Sequence, residues 1–244
     1  RLGLGDFEAR AVMDTYGLAV PVSVLAKSPE EAVEAAAKMG FPVVLKIASP
    51  GIPDFYQGTE GWDLALVDPD NRRPVNFDAA RARLDTLAAE IEASADRPAL
   101  CAGLLEGWRD GRVKLFTIVR GLGLRRADPG LFVEGDYLPL TPRGRQADHL
   151  LAFARRSAGR AVIAVVPRLT VRLTGFSGEL PLGEAVWADT WVGLDDPRLE
   201  GTWVDRFTGE HVDTESVDGR PALRASRLFA HFPVALLERA RGTA

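Results

Sequence analysis

Ten polar and aromatic side chains crowd the stretch from Pro50 to Phe77: Asp54, Tyr56, Gln57, Glu60, Trp62, Asp68, Asp70, Asn71, Arg72 and Arg73. Glycine and proline interrupt them throughout, so the segment reads as loop. Planar rings stack on sugar faces, and carboxylates, amides and guanidinium groups bond hydroxyls two at a time. The mixture suits a carbohydrate. It equally suits a hydrogen-bonded rim, with Asp70-Asn71-Arg72-Arg73 as a salt-bridged turn. Breaking a glycosidic bond with retention takes two carboxyl groups about 5–5.5 Å apart, one a nucleophile and one an acid. Asp54 and Glu60 are acids, but the sequence assigns neither to those roles, and no catalytic residue is assigned.

Elsewhere the chemistry thins out. Lys114 has apolar neighbours in a predicted helix, where it points into a cleft or snorkels to the surface. Trp187, Trp191 and Trp203 alternate with polar residues, as a stacking platform or a strand core would. His149, His211 and His231 lack local triad partners and read as structural. Cys101 has no neighbouring base and reads as an inert buried thiol. A single cysteine excludes an internal disulfide and suits a reducing cytoplasm. With three scattered histidines it leaves no local metal-ligand spacing, and no metal or cofactor is expected. A net charge of −4 gives no electrostatic reason to seek nucleic acid. No apolar run approaches the roughly 20 residues of a membrane span, so no membrane partner is expected. The chain starts at Arg1 without a signal-peptide pattern, which suggests an excised piece of something longer.

Three segments must position these residues. In 1–49, Phe7, Ala11, Val12, Met13 and Tyr16 suggest an amphipathic helix, and Val22–Ala26 a strand. Ser28-Pro29-Glu30-Glu31 has capping-box spacing, and the helix it starts runs to Gly40. Phe41–Ile47 then reads as a buried strand, which makes strand–helix–strand a βαβ unit. In 50–128, the loop precedes an amphipathic helix over 77–93, ended by Ala95–Pro98, and a second helix over 110–126. In 129–244, short β-prone runs include Leu131–Leu140, Leu150–Ala154, Arg160–Pro167, Val171–Leu173, Ala185–Val192, Thr202–Arg206 and Leu223–Ala225. Turn signals such as Ser157-Ala158-Gly159 and Val217-Asp218-Gly219-Arg220 separate them, as in a β-sandwich. This last segment reads as the autonomous, stable part of the chain.

Several stretches carry a family resemblance. Leu45-Lys-Ile-Ala-Ser-Pro-Gly-Ile-Pro-Asp-Phe-Tyr-Gln-Gly-Thr-Glu60, Asp63-Leu-Ala-Leu-Val-Asp-Pro-Asp-Asn-Arg-Arg-Pro-Val75 and Asp110-Gly-Arg-Val-Lys-Leu-Phe116 resemble the C-terminal part of maltooligosyl trehalose synthase. So do Gly135-Asp-Tyr-Leu-Pro-Leu140 and Ala147-Asp-His-Leu-Leu-Ala-Phe-Ala-Arg155 further on. The resemblance spans about residues 44–244. That family, of α-amylase type, converts the reducing-end α-1,4 linkage of a maltooligosaccharide to an α,α-1,1 linkage. The resemblance implies that 44–60 is the last strand and loop of a (β/α)8 barrel, and that 129–244 is the C-terminal β domain. It also implies that Asp54, Tyr56, Gln57, Glu60, Asp70, Asn71, Arg72, Arg73 and Lys114 contact a maltooligosaccharide. The family's catalytic carboxylates lie upstream of the matching stretch, and Asp54 and Glu60 are not among them.

Residues 1–49 resemble another family, the ATP-grasp module of ADP-forming acyl-CoA synthetases. The matching words are Tyr16-Gly-Leu-Ala-Val-Pro21, Ser28-Pro-Glu-Glu-Ala-Val33 and Met39-Gly-Phe-Pro-Val-Val-Leu-Lys-Ile47. Lys46 would match a nucleotide-contacting lysine, although no glycine-rich phosphate loop follows it. The two resemblances meet at residues 45–50, as in a chimaera. The expected fold is α+β: a small N-terminal βαβ unit, a (β/α)8 barrel remnant and an antiparallel β-sandwich. The expected function is that of a glucan-mutase fragment without activity of its own. The alternatives are a non-catalytic carbohydrate-binding or structural β module, and a remnant of an ATP-dependent acyl-CoA ligase.

Overall fold

The computed structural model describes residues 42–63, 73–175 and 177–240. The elements expected before Phe41, and the site candidates Asp70, Asn71 and Arg72, lie outside these residues. Residues 38–244 belong to one compact unit, in which helices cover one face of an antiparallel sheet.

The segment expected as the strand Phe41–Ile47, and as the last strand of a barrel, is instead a helix, α1, Pro42–Ala48. A short apolar run does not distinguish helix from strand by periodicity. As a helix it brings Val44, Ile47 and Ala48 onto one face, where all three are buried. It also satisfies its backbone within its own turns and needs no neighbouring strand. Arg125 takes up the carbonyls that the helix end leaves open. It donates to Ile47 O at 2.7 Å, to Ser49 O at 3.2 Å and to Gly51 O.

Helix α2, Phe77–Ala93, lies where the periodicity places it. Asn76 caps it, its Oδ1 accepting from the Ala79 N–H at 2.9 Å. Helix α3, Arg97–Glu106, is not among the predicted helices, because Ala95–Pro98 reads as a break. The same residues are a start signal: Asp96 caps the Ala99 N–H at 3.0 Å and Pro98 sits in the first turn. Helix α4, Arg112–Ala127, agrees with the second predicted helix to within two residues at its start. Helix α5, Pro129–Val133, takes the front of the run expected as the strand Leu131–Leu140. Asp128 caps it at the Leu131 N–H.

Nine strands follow among the described residues. They are β1 Asp136–Arg143, β2 Leu150–Ser157, β3 Arg160–Pro167, β4 Trp191–Gly193, β5 Thr202–Asp205, β6 His211–Asp213, β7 Glu215–Val217, β8 Arg220–Arg224 and β9 Ala235–Arg239. Their order is β6-β5-β9-β3-β2-β1-β4-β8-β7. Two β-prone runs come out differently. Val171–Leu173 lies in the helical turn Thr170–Leu173, and Ala185–Val192 is divided between the turn Gly183–Trp187 and β4. Two of the predicted turns are two-residue hairpins with positive φ at both central residues, Ala158-Gly159 and Asp218-Gly219.

Strand β1 serves two ladders. Leu140 still pairs with Ala152 of β2, and the next residue, Thr141, pairs with Gly193 of β4. The sheet therefore turns back over a shared interior of Ile163, Val165, Val192, Trp203, Leu223 and Leu237. The opposite face of β3 carries Val162, Ala164 and Val166 towards the helices. Burial on both faces explains why Arg160–Pro167 reads as an unbroken apolar run.

Candidate functional site

The cleft is built by the loop 57–63, the start of α2 and the start of α4. Two glycines let these segments meet. Gly58 has φ +85°, and a β-carbon there would stand 2.9 Å from a Val75 methyl. Gly111 has φ +81°, and a β-carbon there would stand 3.1 Å from the Trp62 backbone nitrogen. The resulting cavity is about 760 Å³.

Trp62 anchors the loop. Its indole Nε1 donates to Trp108 O at 2.6 Å, and the two rings meet edge to face with centroids 6.5 Å apart. Lys114 reaches up from α4, donates to Gly61 O at 2.9 Å and lies 5.7 Å from the Trp62 ring. Burial pushes its ammonium pKa down, while Asp63 and Glu60 pull it back. Arg112 donates to Glu90 at 2.8 and 2.9 Å. Its Nε and backbone N–H engage the two oxygens of Asp110 at 2.7 and 2.8 Å. The bond to Asp110 holds the guanidinium above its usual range.

The structure gathers Gln57, Glu60 and Arg73 in the cleft wall, beside Trp62, Asp63, Asp110 and Arg112. Asp54 and Tyr56 are exposed and lie outside that wall. The Tyr56 carbonyl accepts the Thr59 N–H and hydroxyl, which closes the turn. Lys114 supports the loop from below. Lys46 donates to Asp54 O at 2.6 Å and lies 5.4 Å over the Phe55 ring. Sequence reasoning misses Asp110 and Arg112 as site residues. They fall inside a quoted family word, Asp110-Gly-Arg, but nothing local places them opposite a loop so distant along the chain.

Of the other candidates, the tryptophans and the cysteine sit in the interior, whereas His231 is exposed. Trp187, Trp191 and Trp203 are buried, so they offer no exposed stacking platform. Cys101 is fully buried, and burial pushes its thiol up to about 12. His231 contacts Glu210 at 3.6 Å and His149 Nδ1 contacts Arg168 O at 3.2 Å. Among the described residues, no group of three His, Cys, Asp or Glu side chains could hold a metal ion. No helix among them is long and apolar enough to cross a membrane.

Comparisons with known proteins relate the chain to two families. A family model described as an ATP-grasp domain matches residues 1–59. Over 52 residues, 21% of this chain and 7% of the relative, it is 54% identical to the 4-hydroxybutyrate–CoA ligase [ADP-forming] of Nitrosopumilus maritimus. Over 196 residues, 80% of this chain, it is 34% identical to a Mycobacterium tuberculosis protein described as a maltooligosyl trehalose synthase. That stretch is 20% of the relative. The maltooligosyltrehalose synthase from Arthrobacter ramosus superposes with a TM-score of 0.58 at 37% identity, over 86% of this chain and 22% of that one. The chain thus spans about a fifth of the synthases it matches. Over four fifths of its length it is homologous to maltooligosyl trehalose synthase, and it carries an ATP-grasp-like segment at its start.

Proposed function

We propose that this chain carries one wall of a glucan-binding cleft inherited from maltooligosyl trehalose synthase, and that it has no mutase activity alone. The observation that carries the reading is the cleft itself. Gln57, Glu60 and Arg73, all within the family-like loop, line it together with Trp62. An aromatic face beside amides, acids and guanidinium groups matches the two needs of a sugar ring, stacking and paired hydrogen bonds. The inactivity follows from the acids. Those in the wall are Glu60, Asp63 and Asp110, and Arg112 already engages both Asp110 oxygens. Retaining chemistry uses a nucleophile and a proton donor, and the catalytic carboxylates of the resembled family lie upstream of the matching stretch.

By ancestry, the chain divides into an ATP-grasp-like segment at 1–49, a barrel-end loop and helices at 50–128, and a β domain at 129–244. Asp54, Tyr56, Asp70, Asn71 and Arg72 belong to the proposed glucan contacts as flanking residues, and Lys114 as the support beneath. Titration with maltopentaose tests the reading by calorimetry. Saturable binding is expected, weakened by Glu60→Gln and by Arg73→Ala. Product analysis after incubation should find no trehalosyl end. Binding that ignores both substitutions, or clear turnover, would overturn it.

The ATP-grasp match supports a second ancestry, but not nucleotide binding. The Lys46 ammonium is held by the Asp54 carbonyl, and no glycine-rich loop follows to cradle phosphate. Calorimetry with Mg-ATP is expected to be silent.

A further inference from the structure

Three arginines meet where the connection after β5 crosses the helices. Arg97 starts α3, Arg120 lies on α4 and Arg206 directly follows β5. Arg120 Nε donates to Arg206 O at 2.7 Å. The Arg97 side chain lies against the same turn, where a β-carbon on Gly209 would stand 3.5 Å from its Cγ. All three residues are half-buried.

Their charge is poorly balanced. Arg206 has Glu238 at 3.2 Å, while its Nε is buried without a partner. Among the described residues no carboxylate forms an ion pair with Arg97 or Arg120. Glu210 lies 3.6 Å from His231. Asp205 is buried, its Oδ1 accepts the Phe207 N–H at 2.8 Å, and burial pushes its carboxyl up to about 7. Burial and the neighbouring charges of Arg206 and Arg97 pull the Arg120 guanidinium down to about 10. The N–H groups of the turn are also spent. Arg206 donates to Leu236 O, Gly209 to Asp205 O and Glu210 to the Thr208 hydroxyl. Only the guanidinium groups are left to hold an anion.

We propose that Arg97, Arg120 and Arg206 form a phosphate site, which takes inorganic phosphate or the phosphate of a monoester. The planar fork of a guanidinium matches phosphate oxygens in pairs. A dianion here offsets the repulsion among three cations, and partial burial strengthens the attraction. None of the three arginines lines the cleft, so the site stands apart from the glucan reading.

Calorimetry on the full chain tests the proposal, with inorganic phosphate and phenyl phosphate as probes and sodium chloride holding the ionic strength constant. Saturable binding of phosphate is expected. Arg97→Ala and Arg120→Gln should each weaken it about tenfold or more, the loss of a charge-assisted contact. Melting in phosphate-free buffer reports whether each variant folds, and Arg97→Ala, at the first residue of α3, carries the test if Arg120→Gln does not. Arg227→Ala, at an exposed arginine in the helical turn after β8, should leave the affinity unchanged. Phenyl phosphate bound at least as tightly assigns the site to esters, and phosphate bound alone assigns it to the free ion. Absence of saturable binding, or equal weakening in Arg227→Ala, overturns the proposal. So does an unchanged affinity in a folded Arg97→Ala chain.

Discussion

Asp205 is the carboxyl group most altered by folding among those the structure describes. Burial pushes it up to about 7, and Glu210 adds to the rise. Backbone N–H groups, including that of Phe207 at 2.8 Å, pull the other way. A raised value means that the folded chain holds this proton more tightly than the unfolded chain. Its contribution is fully present below the unfolded value of about 3.9 and is lost as pH rises towards about 7. Urea midpoints should therefore fall across that window, and Asp205→Asn should flatten the fall. An identical slope in the variant would show that other groups set it. Cys101, near the same carboxylate, gives a simpler test. A thiol at about 12 with no exposed surface should resist a disulfide reagent in buffer and react in urea. Rapid labelling of the native chain would contradict its burial.

Local signals make some elements legible, and long-range contacts decide the rest. The stripe from Phe77 to Ile91 announces α2, and the Asp218-Gly219 pair announces a hairpin, because periodicity and turn chemistry act over a few residues. The run Phe41–Ile47 has the composition of a strand, and from Pro42 to Ala48 the structure has a helix. It becomes a helix because Val44, Ile47 and Ala48 are buried on one face and Arg125, 78 residues beyond Ile47, caps its end. Trp62 and Gln57 are legible as site residues from their types. Asp110 and Arg112 are not, because a cleft wall made by two distant segments leaves no local mark. Gly111 holds those segments together, and its substitution tests the joint. Gly111→Ala forces a positive φ on an L residue and drives a β-carbon towards the Trp62 backbone. The expected cost is about 1–2 kcal/mol, read as a lower melting temperature together with red-shifted tryptophan emission. An unchanged melt would mean that the loop yields without loss.

The composition of 129–244 predicts a β unit that stands alone, whereas the packing ties it to the helices before it. Phe116 comes from α4, Phe207 from the connection after β5 and Phe232 from the approach to β9. Their ring centroids lie 5.1 to 6.0 Å apart, and all three are fully buried. The same interior holds Leu104 of α3, Val44 of α1, and Val162, Ala164 and Val166 of β3, residues from both sides of the expected boundary at 128/129. Removing the central ring should therefore weaken helices and sheet together. Phe207→Ala is expected to cost roughly 3–5 kcal/mol. Helical ellipticity and near-ultraviolet tryptophan signals should lose their structure at one shared urea midpoint in both wild type and variant. Limited proteolysis should then cut first in the exposed loop 50–58, before any strand is lost. Two separated midpoints, with the tryptophan signal surviving the helical one, would restore the β domain as an independent folding unit.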